Sequence, residues 1–359
     1  MINYAMKNFL AFCSATAFHR FDIRILAEQT TIFEAWPGAI LRNNLLYAAS
    51  QIDIPDEGIS LFDFCYKQFP IAVGHPLYKE IKKGFPPPFY LYTLAGNSCR
   101  LPYEIQRNEV LTFSLVLVGE AGLYIPYFIQ AIRYMCDKGM GNHSKPFTFI
   151  DIHEVSAVGK TRLLASGNEN IADYLSFPIK IPCFEKNIPE NKGMIHLVFE
   201  TPISLIKQGR VSKKAGYQEE SNGFPGFYQL VRSAAHRIEK LTALYHSPND
   251  IDGYITSHKS IEDYVENAAS GVWLDSARIQ LVTYSSSRKE GTNKRILLTG
   301  YTGEITFSGN NYIQYLPLLR CIEQIGIGEK LSYGFGKIRI EEKHIGNVGK
   351  RLKKKEMYD

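Results

Sequence analysis

Apolar and polar positions along the first 155 residues follow two periodicities. Alternation of apolar with polar residues predicts a half-buried β-strand, and apolar residues three or four positions apart predict an amphipathic helix. The predicted strands are 18–26, 109–119 and 147–155; the predicted helices are one opened by Pro37 and one over 125–141 that stops at Gly139 and Gly141. Residues 52–107 are rich in Pro and Gly, and there we expect an irregular chain.

The same succession of patterns starts again near residue 194. The predicted strands are 194–206, 277–285, 294–307 and 335–342, and the predicted helices are 227–245 and 312–325. This order, β-α-β-β-α-β, is the ferredoxin-like motif, and a looser version of it covers the first half. We therefore predict an α+β protein with two tandem ferredoxin-like (RRM-like) domains.

The predicted organisation has four parts. They are a first domain with a long irregular insertion (1–155), a hairpin extension and linker (156–190), a second domain with a glycine-rich loop (191–345) and a basic tail (346–359). Residues 156–190 have weak periodicity and end in a charged stretch that contains proline, which is typical of a linker.

Composition and charge narrow the class of protein. The chain has 359 residues, of which 45% are hydrophobic and 13% aromatic, so it is a folded globular protein. Its net charge of +5 arises wholly after residue 189, where 24 Lys/Arg face 19 Asp/Glu; the remainder has 41 − 24 = 17 basic and 36 − 19 = 17 acidic residues. A polyanion is thus expected to dock on the second half, unless the excess serves only as a basic tail.

Cysteine spacing argues against a disulfide framework. The six cysteines form no C-x-x-C pair, so neither a cysteine zinc site nor disulfides are predicted, and a reducing cytoplasm fits best. No apolar run reaches the ~20 residues of a membrane helix. Residues 1–18 faintly resemble a signal peptide, but we expect an ordinary segment that leads into a strand. Metal-ligand and paired-carboxylate spacings are not recognisable, so no metal or cofactor is predicted.

A glycine-rich segment, I-G-I-G-E-K-L-S-Y-G-F-G-K-I-R-I, occupies residues 325–340. It lies between a predicted helix and a strand, whereas nucleotide phosphate loops lie between a strand and a helix, and its spacing fits neither template. Two interpretations stay open: a helix C-cap with a tight connection, or a turn that lies against an RNA backbone. In the second, the contacts are Gly326, Gly328, Gly334, Gly336, Lys330, Ser332 and Lys337.

A basic hairpin, S-S-S-R-K-E-G-T-N-K-R, occupies residues 285–295. It projects four cations from one turn, and Ser287 adds a hydroxyl; the cations are Arg288, Lys289, Lys294 and Arg295. Their mutual repulsion favours a bound counter-charge, and a solvated hairpin tip is the alternative. Since ferredoxin-like sheets commonly bind RNA, these residues are candidate RNA contacts.

Several stretches in order resemble one known family. The glycine-rich segment resembles the C-terminal signature of the RAMP superfamily, and S-S-S-R-K-E-G, L-T-G-Y-T-G-E-I-T-F-S-G and Y-L-P-L-L-R-C resemble the second domain of its CRISPR-associated (Cas) endoribonucleases, sixth in the Cas naming series. F-P-P-P-F-Y-L-Y, V-L-T-F-S-L-V-L-V-G-E-A and Y-I-P-Y-F-I-Q-A-I with K-G-M-G-N resemble the first. The resemblance implies tandem ferredoxin-like domains and cleavage of CRISPR repeat RNA (pre-crRNA) to mature crRNA, without metal, giving 2′,3′-cyclic phosphate and 5′-hydroxyl ends.

The resemblance also implies partners and leaves alternatives. We expect CRISPR repeat RNA or crRNA as the ligand, subunits of a CRISPR effector complex as further partners, no membrane, and a monomer or homodimer. A non-catalytic RAMP subunit that holds crRNA in an effector complex is the main alternative. A general single-strand RNA-binding protein is the third, and Y-G-F-G-K-I-R-I matches the RRM signature only faintly.

Metal-free RNA cleavage needs a base for the 2′-hydroxyl, an acid for the leaving oxygen and cations for the developing charge. Many relatives place a histidine near the first helix, but here none lies between His19 and His75. His19 opens the first strand, where the helix bearing Arg42 (an expected RNA contact) and Tyr47 is expected to return; a strand-edge residue is the alternative.

The predicted strands and helices do not fix the positions of the other catalytic candidates. His75 lies in the loop G-H-P-L-Y-K-E-I-K-K, which otherwise reads as a surface loop. Some relatives position the 2′-hydroxyl with lysine, arginine or tyrosine, so Tyr47 and Arg288 are also candidates. His236 and His246, on or just after the second-domain helix, are expected to be structural.

Overall fold

The structure is a computed structural model of the chain. The residues it describes are 4–66, 71, 73–81, 86–93, 101–171, 175, 177–180, 193–205, 226–246, 248–269, 271–288, 295–309 and 311–344.

The first half folds around a six-stranded antiparallel sheet of order β10-β9-β8-β1-β7-β5. Its helices are α1 (Tyr4–Ser14), α2 (Pro37–Ala49), α3 (Leu61–Tyr66), α4 (Tyr78–Ile81) and α5 (Ile125–Lys138), with a 3₁₀ turn at Gly119–Tyr124. Its strands are β1 (Phe18–Ala27), β2 (Thr31–Phe33), β3 (Asp53–Ile54), β4 (Ile59–Ser60), β5 (Phe89–Thr93), β6 (Tyr103–Ile105), β7 (Val110–Val118), β8 (Phe147–Val155), β9 (Thr161–Ser166) and β10 (Glu169–Asn170).

The second half folds around a four-stranded antiparallel sheet of order β12-β13-β11-β14. Its elements are β11 (Gly193–Ile203), α6 (Phe227–Tyr245), α7 (Ile251–Ala269), β12 (Val272–Arg288), β13 (Arg295–Gly309), α8 (Leu316–Ile325) and β14 (Ile338–His344), with 3₁₀ turns at Asn311–Tyr315 and Leu331–Tyr333.

Both sheets contain the same permutation of four strands. In β8-β1-β7-β5, as in β14-β11-β13-β12, the first strand of the motif lies between the fourth and the third, and the second is at the edge. This is the ferredoxin-like arrangement. The prediction of an α+β protein with two tandem ferredoxin-like domains is therefore confirmed.

Each core lies between one face of a sheet and its two helices. Alternate residues of β1, namely Phe21, Ile23 and Ile25, are fully buried with the apolar sides of α2 and α5. In the second half, alternate residues of β11 pack with α6 and α8. The period of two that predicted these strands is the period with which their side chains enter the core.

The two halves also share an apolar core. Tyr90 and Tyr92 of β5 and Val116 of β7 face away from α2 and α5, and they are buried together with side chains of α6 and α8. The second domain thus covers part of the first domain's sheet.

Two stretches differ from the sequence prediction. Residues 52–107, expected to be irregular, contain β5, the second strand of the first motif, along with α3, α4 and β6. Helix α7 was not predicted, because its inward side includes the buried Ser257 and Ser260 and lacks a continuous apolar stripe. The segment 312–325 begins as a 3₁₀ turn, and Pro317 falls in the first turn of α8, where its missing N–H costs little.

The first helix packs outside the domain to which the sequence assigned it. Phe9, Leu10 and Cys13 of α1 are buried with side chains of α6 and α7, and the ring centroid of Phe9 lies 5.3 Å from that of Tyr264. The other proposed domain limits stay predictions. None of the described helices is long and apolar enough to cross a membrane.

Candidate functional site

The glycine-rich segment folds into a compact turn held by backbone hydrogen bonds. Gly326 ends α8 with φ 83° and ψ 166°. Ile327 N donates to Gly336 O (2.9 Å), and Gly336 N donates to Pro202 O (2.8 Å) next to the end of β11. The middle of the segment, Leu331–Tyr333, is a single 3₁₀ turn. The segment is therefore a loop closed on itself, anchored to its own sheet.

Backbone conformation and space together require the glycines. All four have positive φ, between 81° and 87°. A Cβ on Gly326 would collide with the Tyr92 hydroxyl, and one on Gly336 with the carbonyl of Ile327. All four are buried.

This burial corrects the expectation that the glycine backbone lies open to RNA. The N–H groups of Gly326, Gly334 and Gly336 donate to carbonyls inside the protein. The interpretation as a helix C-cap with a tight connection is the one the structure supports for Gly326, Gly328, Gly334 and Gly336.

Lys337 has an internal role in place of the RNA contact expected from the sequence. Its side chain is buried, and Nζ donates to the carbonyl of Glu323 in α8 (2.6 Å). Burial, aided by the nearby Arg20 guanidinium, lowers the pKa of Lys337 to about 8. The ammonium therefore ties the end of the segment to α8.

The turn docks on the start of α2 in the first domain. Trp36 Nε1 donates to the carbonyl of Tyr333 (2.6 Å), and the Trp36 ring lies edge-on to Phe335, with centroids 5.5 Å apart. Trp36 also contacts Tyr284 of β12, and the centroids of these two rings lie 4.7 Å apart. Gly38 is required here, because a Cβ would collide with the Tyr333 carbonyl. A tryptophan-centred contact thus fixes α2 against the second domain.

Arg42, one turn further along α2, reaches the same loop. Its guanidinium carbon lies 4.6 Å from the centroid of the Tyr333 ring, a cation–π contact. Nη2 donates to the Tyr66 hydroxyl (3.2 Å) and Nη1 to Asn43 Oδ1 (3.1 Å). Burial raises the pKa of Tyr66 to about 12 although Arg42 opposes the shift, so the Tyr66 hydroxyl stays neutral.

Two further polar side chains of the loop are partly exposed beside this contact. Lys330 has left-handed backbone geometry (φ 62°), and its Nζ makes one long hydrogen bond, 3.4 Å, to the carbonyl of Thr299. Ser332 is half-buried in the 3₁₀ turn. We call Arg42, Lys330, Ser332 and Tyr333 the junction surface. It combines two cations, a hydroxyl and an aromatic ring where the two domains meet.

His19 does not join the junction surface. Its ring is on the side of β1 that faces the first domain's helices, beside Gly122, and only 9% of the residue is exposed. Nδ1 lies 3.7 Å from Oε1 of the fully buried Glu154. Burial lowers the pKa of His19, and Glu154 partly opposes this. The sequence predicted that α2 would lie beside His19. In the structure the 3₁₀ turn Gly119–Tyr124 lies there instead.

His75 is buried as well, although the sequence indicated an exposed loop. Its Nδ1 accepts a hydrogen bond from Leu77 N (3.1 Å), and its ring centroid lies 5.1 Å from that of Tyr254 in α7. Burial lowers its pKa. His75 therefore packs a loop of the first domain against the second and does not reach the junction surface.

Tyr47 is exposed but points elsewhere. It follows Arg42 by five residues, about 140° around the helix axis. Its ring lies 6.4 Å from that of Tyr134 in α5, and 58% of the residue is exposed. The structure thus separates Tyr47 from Arg42.

The basic hairpin is described only at its base. Arg288 and Arg295 are paired across β12 and β13, so β12 extends beyond its predicted end at residue 285. Lys289 and Lys294, and the side chains of Ser287, Arg288 and Arg295, lie outside the described residues. Their part in RNA binding stays a prediction.

Sequence reasoning missed three residues of the junction. Trp36, Tyr66 and Tyr333 were not singled out, although Trp36 is one of only two tryptophans and directly precedes the helix-opening Pro37. That pairing was an available signal. The contacts of Tyr66 and Tyr333 depend on the meeting of two domains, which no local pattern encodes.

Each half of the chain matches a different family of known sequences. Residues 197–338 match the family described as CRISPR-associated endoribonuclease Cas6, and residues 15–174 match one described as an N-terminal domain. No curated protein matches the chain.

Solved structures resemble the whole fold. A partial Cas6-RT-Cas1–Cas2 complex matches with a TM-score of 0.54 and 10% identity, covering 92% of this chain and 46% of that chain. A Cas6 of Thermus thermophilus matches with a TM-score of 0.46 and 14% identity over 91% of this chain and 99% of that one. A Cas6 product complex matches with a TM-score of 0.49 and 14% identity over 90% and 99%. Residues 197–338 of the chain therefore match the Cas6 family of CRISPR-associated endoribonucleases, and the chain shares its fold with the complex that contains Cas6.

Proposed function

We propose that the chain binds CRISPR repeat RNA and cuts it at the junction surface, to give mature crRNA. The observation that supports this most is the contact of Arg42 with Tyr333. This contact brings α2 of the first domain to the glycine-rich loop of the second. That loop belongs to the part of the chain that matches the Cas6 family. Cations, a hydroxyl and an aromatic face in one partly open place suit a phosphate and a base.

The proposed reaction is a metal-independent transesterification. The ribose 2′-oxygen attacks the adjacent phosphorus and loses its proton, while the bond from phosphorus to the 5′-oxygen breaks and that oxygen takes up a proton. The products are a 2′,3′-cyclic phosphate and a 5′-hydroxyl. Negative charge grows on the phosphate oxygens, and the proposed role of Arg42 and Lys330 is to stabilise it.

The groups that move the protons form a separate part of the proposal. Arg288, at the end of β12, is the candidate to place the 2′-hydroxyl, because Tyr47 points away from the junction surface. His19 and His75 have no part in the proposal because both rings are buried.

Replacement of Arg42 tests the junction most sharply. We expect Arg42→Ala to slow single-turnover cleavage about 100-fold, since loss of one preorganised donor to a developing oxyanion costs about 10²–10³ in rate. Arg42→Lys keeps the charge but not the fork of donors, so we expect an intermediate rate.

Arg278→Ala is the matched control, because this arginine of β12 has a side chain that is 86% exposed and pairs with Glu304 away from the junction. Circular dichroism checks that each variant is folded. Equal cleavage rates for Arg42→Ala and Arg278→Ala would contradict the assignment of the junction.

A second function has one observation in its favour. Neither α2 nor the glycine-rich segment contains a histidine, and the two nearest candidates in sequence, His19 and His75, are buried. This favours a RAMP subunit that holds crRNA without cutting it, alone or with effector-complex partners. Under that function the wild-type protein binds repeat RNA and leaves it intact, and Arg42→Ala weakens binding only.

A further inference from the structure

Three potential metal ligands meet between α6 and α7, on elements that do not form the junction surface. His236 and Glu239 are three residues apart, so they lie on the same side of α6. His258 of α7 faces them. Nδ1 of His258 lies 3.1 Å from Glu239 Oε2, and Nδ1 of His236 lies 3.6 Å from the same oxygen. One potential ligand atom from each residue falls within 4.8 Å of the others.

Glu239 is the unusual member of this group. Only 2% of the residue is exposed, and its Oε1 atom is buried without a hydrogen-bond partner in the described part of the chain. A carboxylate withdrawn from water to this degree needs a cation or several donors. The two imidazoles meet only one of its oxygens, which leaves the carboxylate incompletely satisfied.

The spacing of the ligand atoms suits a small divalent ion. In a tetrahedral zinc site with bonds of about 2.0–2.1 Å, neighbouring ligand atoms lie about 3.3–3.4 Å apart. The two distances from the histidine nitrogens to Glu239 Oε2, 3.1 and 3.6 Å, lie on either side of that value. Imidazole nitrogen with carboxylate oxygen is a common donor set for zinc, and three protein ligands leave a fourth position for water.

The surroundings hold one ligand in place and leave a path to solvent. The Tyr254 ring stacks on His258, with centroids 5.5 Å apart and planes 24° apart, which fixes the orientation of the imidazole. The side chains of His258 and His236 are 50% and 25% exposed. Both imidazoles are therefore accessible to an ion from solvent.

We propose that His236, Glu239 and His258 bind one divalent transition-metal ion, with zinc the best match, and that the ion clamps α7 onto α6. The sequence alone predicted no metal-ligand set. The H-x-x-E spacing within α6 was a readable signal. His258 joins it only through the packing of α7, the helix that the sequence did not predict. The proposal is independent of RNA cleavage.

The test begins with the full-length protein, stripped with a chelator and then titrated with Zn²⁺ alone in a calorimeter. We expect one equivalent to bind and the unfolding temperature to rise on binding. Co²⁺ in place of Zn²⁺ should give a d–d absorption spectrum without a thiolate charge-transfer band, because the ligands are nitrogen and oxygen. A thiolate band would assign the ion to cysteines and overturn the proposal.

Variants separate this site from adventitious binding. His236→Ala and His258→Ala should each weaken Zn²⁺ binding at least 100-fold, and Glu239→Gln should do the same. His246→Ala is the control, since that histidine is exposed directly after α6; it should bind like the wild type.

Because replacement of a buried glutamate can harm folding, the half-exposed His258 decides the outcome. Wild-type affinity in His258→Ala, or no stoichiometric binding by the wild type, overturns the site. In that case the cluster is an ion pair of Glu239 with histidine alone.

Discussion

Helices α5 and α8, the second helices of the two ferredoxin-like motifs, end in the same way. The chain that follows them differs between the domains. Gly139 ends α5 with φ 81° and ψ 165°, and Gly326 ends α8 with φ 83° and ψ 166°. One residue later, buried Met140 pairs with Lys145, as buried Ile327 pairs with Gly336. The pairs enclose four residues in the first domain (141–144) and eight in the second (328–335).

This comparison separates a structural frame from an addition. The G-x-G helix end and the residue pair after it occur in both domains, so they follow from the ferredoxin-like fold and need no ligand to explain them. The longer loop of the second domain carries Lys330, Ser332 and Tyr333, which reach the other domain. Function is therefore expected in the additional residues and not in the glycines.

The glycine frame should matter equally in both domains. A Cβ at Gly139 would collide with the Ser144 carbonyl, and one at Gly326 with the Tyr92 hydroxyl. We expect Gly139→Ala and Gly326→Ala each to lower the free energy of unfolding in urea by about 3 kcal/mol, from left-handed strain plus overpacking. Gly159→Ala, with φ 78° but open space, should cost about 1 kcal/mol. If Gly326→Ala lowers the free energy of unfolding no more than Gly159→Ala does, the claim that the fold requires glycine at this helix end is wrong.

Lys337 directly follows the paired Gly336, the position that Pro146 takes after the paired Lys145 in the first domain. The burial of Lys337 should show in the pH dependence of stability. Its folded pKa of about 8 lies below the model-peptide value of 10.5. Between these values the unfolded chain holds more protons, so stability from this group rises with pH. The free energy of unfolding of the wild type, relative to Lys337→Met, should rise by about 2 kcal/mol from pH 8 to pH 9.5. Parallel curves for the two proteins would show that the ammonium is not buried.

The smallest effect concerns one phosphate contact. Lys330→Ala should weaken repeat-RNA binding by about 1 kcal/mol and flatten the salt dependence by about 0.7–0.9 in log–log slope. Lys145→Ala is the control, from the residue pair that closes the shorter loop; its Nζ donates to Gln29 Oε1 (3.0 Å). Filter binding at several salt concentrations measures both. Equal losses would mean that the additional residues have no special role.

The repeated fold could be predicted because its strongest signals are local. The alternation in β1 and β7 and the Gly139 and Gly326 helix ends are properties of a few consecutive residues, and all were predicted. Strand β5 was missed because its five residues follow three prolines, which favour an irregular chain. Helix α7 was missed because tertiary packing buries its serines.

The site could be predicted only in part, because it depends on contacts between domains. Arg42, Lys330 and Ser332 were named from the sequence and lie at the junction. The burial of Lys337, His19 and His75 was not foreseeable, since each is enclosed by an element distant in the chain. Polar residues are predicted from local sequence to be exposed, but they become buried when a second domain or an insertion covers them.

Cleavage of the natural repeat tests the central claim most directly. Purified protein is incubated in EDTA with the CRISPR repeat RNA encoded beside its gene and with an unrelated RNA hairpin, and the ends of the products are identified. We predict a single cut in the repeat alone, with a 2′,3′-cyclic phosphate and a 5′-hydroxyl. A folded protein that binds the repeat and leaves it intact, or that cuts it only after Mg²⁺ is added, would contradict the account.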